Sequence, residues 1–216
     1  MSHVGSIYDS QKEVSFRLCF TSVIFVLYSD QMTIQEIAQD MLHKSDQRRP
    51  QVIAIEGFGG SGKSTIAEKL AHELGGAYVV GIDDFIVKEK LAETSWDGGA
   101  FDRKRLEQQV LRPLSEGKHA SYQKLDWAAN TLSKPVPIPN VDYVIVEGIT
   151  AYHPDIAQYY DFKIWIDTPL EVAQKRGHAR EGSNENAQHW DLWTENDRRY
   201  QQRYHPERQA DYTITN

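Results

Sequence analysis

The chain has 216 residues, of which 25% are charged and 40% hydrophobic, and its net charge is −7 at pH 7. This length suits one α/β domain with an added lid, and the acidic charge argues against a nucleic-acid binder. The only cysteine, Cys19, excludes an intramolecular disulfide and a four-cysteine zinc site, so we expect a reducing, cytoplasmic location.

The first 31 residues differ in pattern from the rest of the chain. Residues 18–28 are strongly apolar, but they span only about half the length that a bilayer requires. No small-residue cleavage site follows them, so neither a membrane anchor nor a signal peptide is predicted. Thr33 and Glu36 form the pattern of a capping box that opens an amphipathic helix. We interpret residues 1–31 as an extension outside the fold, with Met32 as an alternative start, and residues 32–216 as the folded domain.

A phosphate-binding loop is predicted at residues 57–64, whose sequence fits G-x-x-x-x-G-K-[ST] at every fixed position. An apolar strand precedes it and a helical pattern follows. Glycines let backbone N–H groups approach phosphate oxygens, and the helix N-terminus adds its positive dipole end. Lys63 would reach the β- and γ-phosphates, and the Ser64 hydroxyl would hold Mg²⁺. The nucleotide-binding residues predicted from the motif are Gly57, Gly59, Gly60, Ser61, Gly62, Lys63, Ser64 and Thr65.

Two carboxylates follow predicted strands. Asp83 comes directly after a strand at 77–82, and Glu147 ends a strand at 141–147. In an open parallel sheet, ligands bind at the carboxyl ends of the strands. Asp83 is therefore a candidate to accept a proton from a hydroxyl that attacks the γ-phosphate and to contact Mg²⁺; its alternative role is a turn aspartate that caps the next segment. Glu147 would be a second carboxylate on the metal.

Aromatic and acidic residues also occur between the strands. Trp96 and Asp97 lie in a loop that precedes a helix starting at Phe101-Asp102, and Trp127 ends an alternating segment at 121–127. A tryptophan stacks on a flat ring, and a carboxylate accepts two hydroxyl protons. These residues therefore suit a small polyol that carries a flat ring, although burial in the core is the alternative for the tryptophans.

The last third of the chain predicts a cationic lid. A strand at 162–167 leads into a helix in which Arg176 and Arg180 lie four residues apart, on one face. In an acidic chain these arginines suit the transferring phosphoryl group, within a lid around 176–190, and a solvent-exposed helix face is the alternative. A further helix at 186–204 places four aromatic side chains on one side, which we interpret as core, and residues 210–215 indicate a final edge strand.

The motifs taken together resemble the uridine kinase branch of the P-loop kinases. The resemblance extends over residues 48–215 and rests on residues 57–65, 82–85, 101–102, 110–118, 144–148 and 166–168, in the same order. It implies an α/β fold, the three-layer sandwich of P-loop NTPases. The sheet would be mostly parallel with about five strands, helices on both faces and a helical lid, so that residues 32–216 form a P-loop kinase domain.

The resemblance also implies an activity and roles for residues. It implies transfer of the γ-phosphoryl group of ATP, with Mg²⁺, to a primary hydroxyl, typically the 5′-hydroxyl of uridine or cytidine. Asp83 matches the catalytic base of the family, Ser64 and Glu147 match its metal shell, and Asp97 matches the acid that holds the ribose hydroxyls. Trp96 matches the aromatic residue before that acid. Arg176 and Arg180 fall in the lid.

Three positions depart from the family pattern. Family members that select pyrimidines usually carry Tyr where this chain has Ile86, and a Tyr and a His where it has Leu125 and Asn130. Acceptors of related kinases, namely nicotinamide riboside, pantothenate, glycerate and ribulose phosphate, therefore stay open.

Two other classes of protein were weighed against a kinase. The absence of an Asn-Lys-x-Asp motif, and of an acid before Glu147, argues against a switch or motor ATPase. A regulatory nucleotide-binding module without turnover stays open. The expected partners are ATP and a small-molecule substrate, with no nucleic acid and no membrane, and the sequence is compatible with a homo-oligomer.

Overall fold

A computed structural model describes residues 32–46, 48–92, 95–181 and 189–216. The interpretation of residues 1–31 as an extension lies outside the described residues, and so do residues 182–188 of the predicted lid. Within the described ranges, no helix has both the length and the apolar character needed to cross a bilayer.

The described chain alternates strands and helices. The strands are β1 Gln51–Glu56, β2 Tyr78–Gly81, β3 Ser121–Tyr122, β4 Leu125–Asp126, β5 Thr131–Leu132, β6 Val136–Pro137, β7 Tyr143–Glu147, β8 Phe162–Asp167 and β9 Tyr212–Thr215. The α-helices are α1 Ile34–Lys44, α2 Lys63–Glu73, α3 Arg103–Leu106, α4 Arg112–Ser115, α5 Leu170–Glu181 and α6 Trp190–Tyr204. A π-helical turn, Glu107–Leu111, connects α3 to α4.

Five of these strands form one parallel sheet in the order β2-β7-β1-β8-β9. Its register brings the ends of neighbouring strands together, because Ile55 of β1 and Gly81 of β2 both pair with Glu147 of β7. Parallel strands present their carboxyl ends at one edge of a sheet, which is where ligands bind in open α/β folds. The predicted sheet of about five strands is confirmed.

Each face of the sheet packs against helices, as side-chain alternation along β1 makes plain. Ile53 and Ile55 belong to the core cluster under α1 and α2. Val52 and Ala54 belong to the opposite cluster, which includes residues of α3, α4 and α6. Successive residues of a strand point to opposite faces, so the uninterrupted apolar sequence of β1 is typical of a strand buried on both sides. The predicted three-layer α/β architecture is confirmed.

The helix that follows Asp102 is irregular for a local reason. Asp102 accepts a hydrogen bond from the Arg105 N–H at 3.0 Å and so caps α3. Pro113 has no N–H to donate to the carbonyl four residues earlier, and its ring would clash with that carbonyl. The π-helical turn Glu107–Leu111 ends just before this proline, and such turns widen a helix by one residue. The chain therefore stays helical through Pro113, with the π-helical turn directly before α4.

Short hairpins lie between α4 and β7. β3 pairs with β6 and β4 pairs with β5, both antiparallel. The predicted alternating strand at 121–127 is thus divided into two short strands, and Trp127 follows β4. The predicted final strand is confirmed, since β9 lies at the edge of the sheet beside β8.

Candidate active site

A cavity of about 310 Å³ opens at the carboxyl edge of the sheet. Such a volume is at the lower end of the range of small-molecule sites. Its polar lining consists of Gly59, Gly60, Lys63, Ser64, Asp83, Glu147, Arg180 and Asp197. The remaining lining residues are Ile86, Leu91, Trp96, Phe101, Trp127, Gly148, Ile149, Trp190 and Trp193. We call the first group without Asp83 and Asp197 the nucleotide end, and the apolar and aromatic residues of the second group the acceptor end.

The loop between β1 and α2 forms the floor of the nucleotide end. Gly60 has φ +82°, and a Cβ there would lie 2.1 Å from the Ala173 carbonyl oxygen of α5. Only glycine fits this close approach, so the loop and α5 are held together. Lys63 begins α2, and its Nζ donates to the Phe58 carbonyl oxygen at 2.9 Å. The first N–H groups of α2 have no partner within the helix and face the cavity edge, where they suit an anion.

Oxygen ligands meet next to this loop. The Ser64 hydroxyl donates to Glu147 Oε1 at 3.1 Å. Burial raises the pKa of Glu147, Lys63 opposes that shift, and the Asp83 carboxylate adds to it, which places all three charges near one another. Hydroxyl and carboxylate oxygens fit Mg²⁺, which takes one or two protein carboxylates and completes its shell with water and phosphate oxygens. Among the described residues, no three His, Cys, Asp or Glu side chains cluster as a metal site of their own.

Asp83 lies between the two ends of the cavity. It is exposed and sits in a 3-10 turn, Ile82–Phe85, that begins directly after β2. Gly148, after β7, packs against this turn so closely that a Cβ on it would lie 1.9 Å from Ile82 Cγ2. This contact fixes the turn after β2 beside the turn after β7, and so brings Asp83 to the same side of the cavity as Glu147.

The two candidate arginines of α5 have different positions. Arg180 lines the cavity, and its guanidinium lies over the Trp190 ring, 5.8 Å from the centroid. Arg176 is exposed and is not among the residues that line the cavity. The structure therefore brings Arg180, but not Arg176, to the nucleotide end. Gly57, Ser61, Gly62 and Thr65 belong to the loop and α2 but do not line the cavity either.

The acceptor end contains two of the predicted substrate residues. Trp96 is buried and Trp127 is 39% exposed, and both line the cavity. Ile86 also lines it, whereas Leu125 and Asn130 do not. The Asn130 amide instead donates to Glu89 Oε1 at 2.7 Å. Among the described lining residues, the walls at this end are thus aromatic and aliphatic.

Asp97 does not line the cavity. Its Oδ1 accepts a hydrogen bond from the Tyr204 hydroxyl, and its Oδ2 accepts one from Arg203, both at 2.9 Å. His153 Nε2 lies 3.3 Å from Oδ1. Burial acts to raise the pKa of Asp97, but the hydrogen bonds from Tyr204 and His153 together with the charge of Arg203 lower it overall. In this structure the carboxylate joins the loop before α3 to the end of α6.

Several cavity residues have no site role predicted from the sequence, and three of them, Trp190, Trp193 and Asp197, lie on α6. The two tryptophans were interpreted as core, and Trp190 is indeed 4% exposed, but both also line the cavity. Positions 190, 193 and 197 follow the i, i+3, i+7 spacing of one helix face. The sequence signal for Asp197 is an acid at helical spacing from two tryptophans, and none of the predictions made from the sequence used it.

Two acids near the loop are fully buried. Burial raises the pKa of Glu56, the last residue of β1, to about 8, although the Tyr152 N–H donates to its Oε2 at 3.0 Å. Burial also raises the pKa of Asp197 to about 6, while hydrogen bonds from Gly59 and Trp96 oppose the shift. The phosphate-binding loop therefore lies beside two buried acids whose pKa values are raised by burial.

Comparison with known proteins agrees with this architecture. The family model of the Cytidylate kinase-like family matches residues 52–214. A uridine kinase from Macrococcus caseolyticus (strain JCSC5402) is 30% identical over 141 residues, which cover 60% of this chain and 68% of that protein.

Two solved structures share the fold. One, described as a possible uridine kinase from Bacillus stearothermophilus, has a TM-score of 0.66 at 21% identity and covers 84% of this chain and 96% of its own. The other, a putative fructose transport system kinase from Silicibacter sp. TM1040, has a TM-score of 0.67 at 22% identity and covers 84% of this chain and 98% of its own. The matched family model and the Macrococcus relative together show that the chain belongs to the Cytidylate kinase-like family and is a uridine kinase-like P-loop kinase.

Proposed function

We propose that this chain transfers the γ-phosphoryl group of ATP to a primary hydroxyl of a small molecule, with the 5′-hydroxyl of a nucleoside such as uridine or cytidine as the first candidate. The observation that carries the proposal is the position of Asp83. Its side chain lines the same cavity as the phosphate-binding loop and the aromatic walls. A base there is placed to take the proton of a hydroxyl that enters from the acceptor end.

The other charged residues have complementary roles in this proposal. Lys63 and the first N–H groups of α2 bind the phosphates, and Arg180 balances the charge that develops on the transferring group. Ser64, Glu147 and Asp83 would hold Mg²⁺, which supplies charge neutralisation between the β- and γ-phosphates. Arg176 is proposed as a lid residue that reaches the phosphates only when the lid is closed, because it does not line the cavity here, whereas Arg180 does.

The acceptor end favours a second candidate as well. Ile86 presents an aliphatic side chain to the cavity, and Leu125, Asn130 and Asp97 do not line it. These positions therefore supply no polar side chain to the described cavity lining, whose polar side chains are those of Lys63, Ser64, Asp83, Glu147, Arg180 and Asp197. A kinase for another acceptor, such as nicotinamide riboside, pantothenate, glycerate or a sugar phosphate, is the alternative that this observation supports.

A panel of acceptors tests both candidates. ADP release is measured with ATP and Mg²⁺ in the presence of uridine, cytidine, nicotinamide riboside, pantothenate, glycerate or ribulose 5-phosphate, and in a blank without acceptor. The Lys63→Ala variant, prepared identically, controls for contaminating kinases. We expect one class of acceptor to stimulate release well above the blank.

Each outcome of the panel has a distinct meaning. Stimulation by uridine and cytidine supports the first candidate, and stimulation by another acceptor supports the second. Equal release with and without acceptors would contradict the proposal in favour of an ATPase. MgATP binding without any release would instead indicate a regulatory module.

A further inference from the structure

One buried carboxylate contacts both ends of the cavity. Asp197 of α6 is 4% exposed. Its Oδ2 accepts a hydrogen bond from the Gly59 N–H of the phosphate-binding loop at 2.7 Å, and its Oδ1 accepts one from the Trp96 indole N–H at 2.7 Å. Both oxygens thus receive N–H donors, one from the nucleotide end and one from the acceptor end.

The rest of α6 strengthens the same connection. Tyr204 lies two turns after Asp197, hence on the same helix face, and its hydroxyl donates to Asp97, the neighbour of Trp96. Arg203 also donates to Asp97. Two adjacent residues of the loop before α3 are therefore held by one face of α6, and Asp197 alone among these contacts reaches the phosphate-binding loop as well.

We propose that Asp197 is a positioning residue that ties the phosphate-binding loop to the acceptor loop and so fixes the distance between the γ-phosphate and the acceptor hydroxyl. It is not placed as a base, because both oxygens are occupied by N–H donors in a buried setting. The inference rests on the proposed function for its effect on transfer. The tie between the two loops is independent of it.

Asparagine is the sharpest substitution at this position. Asn has nearly the same size as Asp, but it has only one oxygen acceptor, and its NH₂ would face one of the two N–H donors. Asp197→Asn therefore breaks one of the two links without opening a cavity. Asp191→Asn is the matched control, because Asp191 is on the same helix and its side chain is 85% exposed.

The first measurement needs no acceptor. Hydrogen exchange with MgATP bound reports residues 57–62 and 95–101, and we expect both segments to exchange faster in Asp197→Asn but not in Asp191→Asn. Unchanged exchange in both segments would overturn the inference, whatever the acceptor panel yields. A wild-type chain without any acceptor-stimulated release would contradict the proposed function alone.

The second measurement compares transfer to the acceptor with hydrolysis of ATP by water. A misplacement of about 1 Å between reacting groups costs on the order of 10²-fold in rate, so we expect the transfer rate of Asp197→Asn to fall by about that factor. Hydrolysis by water does not use the acceptor loop and should fall much less. A loss of folded protein would lower both rates equally, so an unchanged ratio of transfer to hydrolysis would overturn the inference.

A double variant tests whether Asp197 acts through Trp96. Trp96→Phe removes the indole N–H, and in that background Asp197→Asn has one link fewer to break. Residues that share one interaction have non-additive effects. Because Trp96 also lines the acceptor end, the readout is hydrogen exchange of residues 57–62 with MgATP bound. We expect the double variant to exchange there no faster than Asp197→Asn, and increases that multiply would overturn the assignment.

Discussion

The two ends of the cavity are built in opposite ways. The nucleotide end comes mostly from one short stretch, in which β1, the loop and the start of α2 follow each other directly. The acceptor end draws on side chains far apart in the sequence, such as Ile86, Trp127 and Trp193. The first is charged and partly buried, and the second is aromatic and apolar.

This difference explains why the two ends differ in what they specify. A phosphate is bound mainly by backbone N–H groups and a helix terminus, whose geometry a short motif determines. An acceptor is recognised by side chains that only the complete fold brings together. The same kind of phosphate-binding loop therefore suits kinases with many different acceptors. The acceptor of this chain must be identified from the walls of the cavity.

Asp83 lies where the two ends meet, and its substitution should have the largest effect. We expect Asp83→Asn to lower the rate of transfer by about 10²–10⁴-fold, because an amide cannot accept the proton of the attacking hydroxyl. The measurement is ADP release with the best acceptor at saturating MgATP.

Asp84→Asn is the control for the change of charge, since Asp84 is adjacent in sequence but does not line the cavity. It should retain most of the transfer rate. Equal losses in the two variants would remove Asp83 from the proposed mechanism and leave the turn after β2 with a structural role.

The difference between the two ends also explains how much of the structure could be predicted from the sequence alone. The boundaries of β1 and β8 and the capping box of α1 agree with the prediction, because each is set by a local pattern of apolar residues, glycine or a cap. The position of Lys63, Ser64, Asp83 and Glu147 at one edge follows from strand order in a parallel sheet. Their catalytic and metal-binding roles stay predictions.

The acceptor end was less accessible to sequence reasoning for a physical reason. Asp97 is predicted to hold the hydroxyls of the substrate, and in this structure it accepts hydrogen bonds from Tyr204 and Arg203, more than 100 residues later in the sequence. Its role toward the substrate stays a prediction. Helix periodicity identified the aromatic face of α6 without revealing that it lines a cavity. Contacts between residues far apart in the sequence determine which side chains line the cavity, and no local sequence pattern encodes such contacts.

Glu56, the last residue of β1, tests how burial affects a carboxyl group next to the phosphate-binding loop. Its pKa is raised from 4.5 to about 8 by burial, so the unfolded chain releases the proton first as the pH rises. Between pH 4.5 and 8 the wild-type chain should therefore lose stability relative to Glu56→Gln, by on the order of 1 kcal/mol per pH unit. Above this window the difference should stay constant.

Urea unfolding of the ligand-free protein at several pH values measures this difference. Glu68→Gln, at an exposed position of α2, controls for the change in net charge. Parallel stability curves for the wild type and Glu56→Gln would show that Glu56 is ionised in the folded protein across this pH range. That result would contradict the raised pKa.

Trp127 tests the aromatic walls of the acceptor end. It lines the cavity yet is 39% exposed, so its truncation should alter the acceptor more than the fold. Stacking of an aromatic side chain on a base contributes about 1–3 kcal/mol, so Trp127→Ala should raise the acceptor KM by roughly 5- to 150-fold if the acceptor carries a flat ring. The Kd of MgATP should stay unchanged.

Leu132→Ala is the matched control, because Leu132 is 43% exposed in the β4–β5 hairpin and does not line the cavity. An unchanged KM for an acceptor that carries a flat ring would contradict the assignment of Trp127 to stacking on that ring.

The smallest effect is expected from removal of residues 1–31. A chain that begins at Met32 keeps Thr33, whose side chain and backbone exchange hydrogen bonds with Glu36 and so cap α1. The new N-terminus would lie next to this cap, and α1 packs against α2 on the face of the sheet opposite α3 and α4. The cap is therefore the feature of the fold that the truncation would disturb. We expect transfer rates and unfolding midpoints equal to those of the full chain. A loss of transfer with an unchanged unfolding midpoint would assign the extension to the active site, whereas a loss of transfer with a lower midpoint would assign it to the fold.

Thr33→Ala calibrates how much of a loss in stability the helix cap explains. This substitution should by itself lower the free energy of unfolding by about 1 kcal/mol.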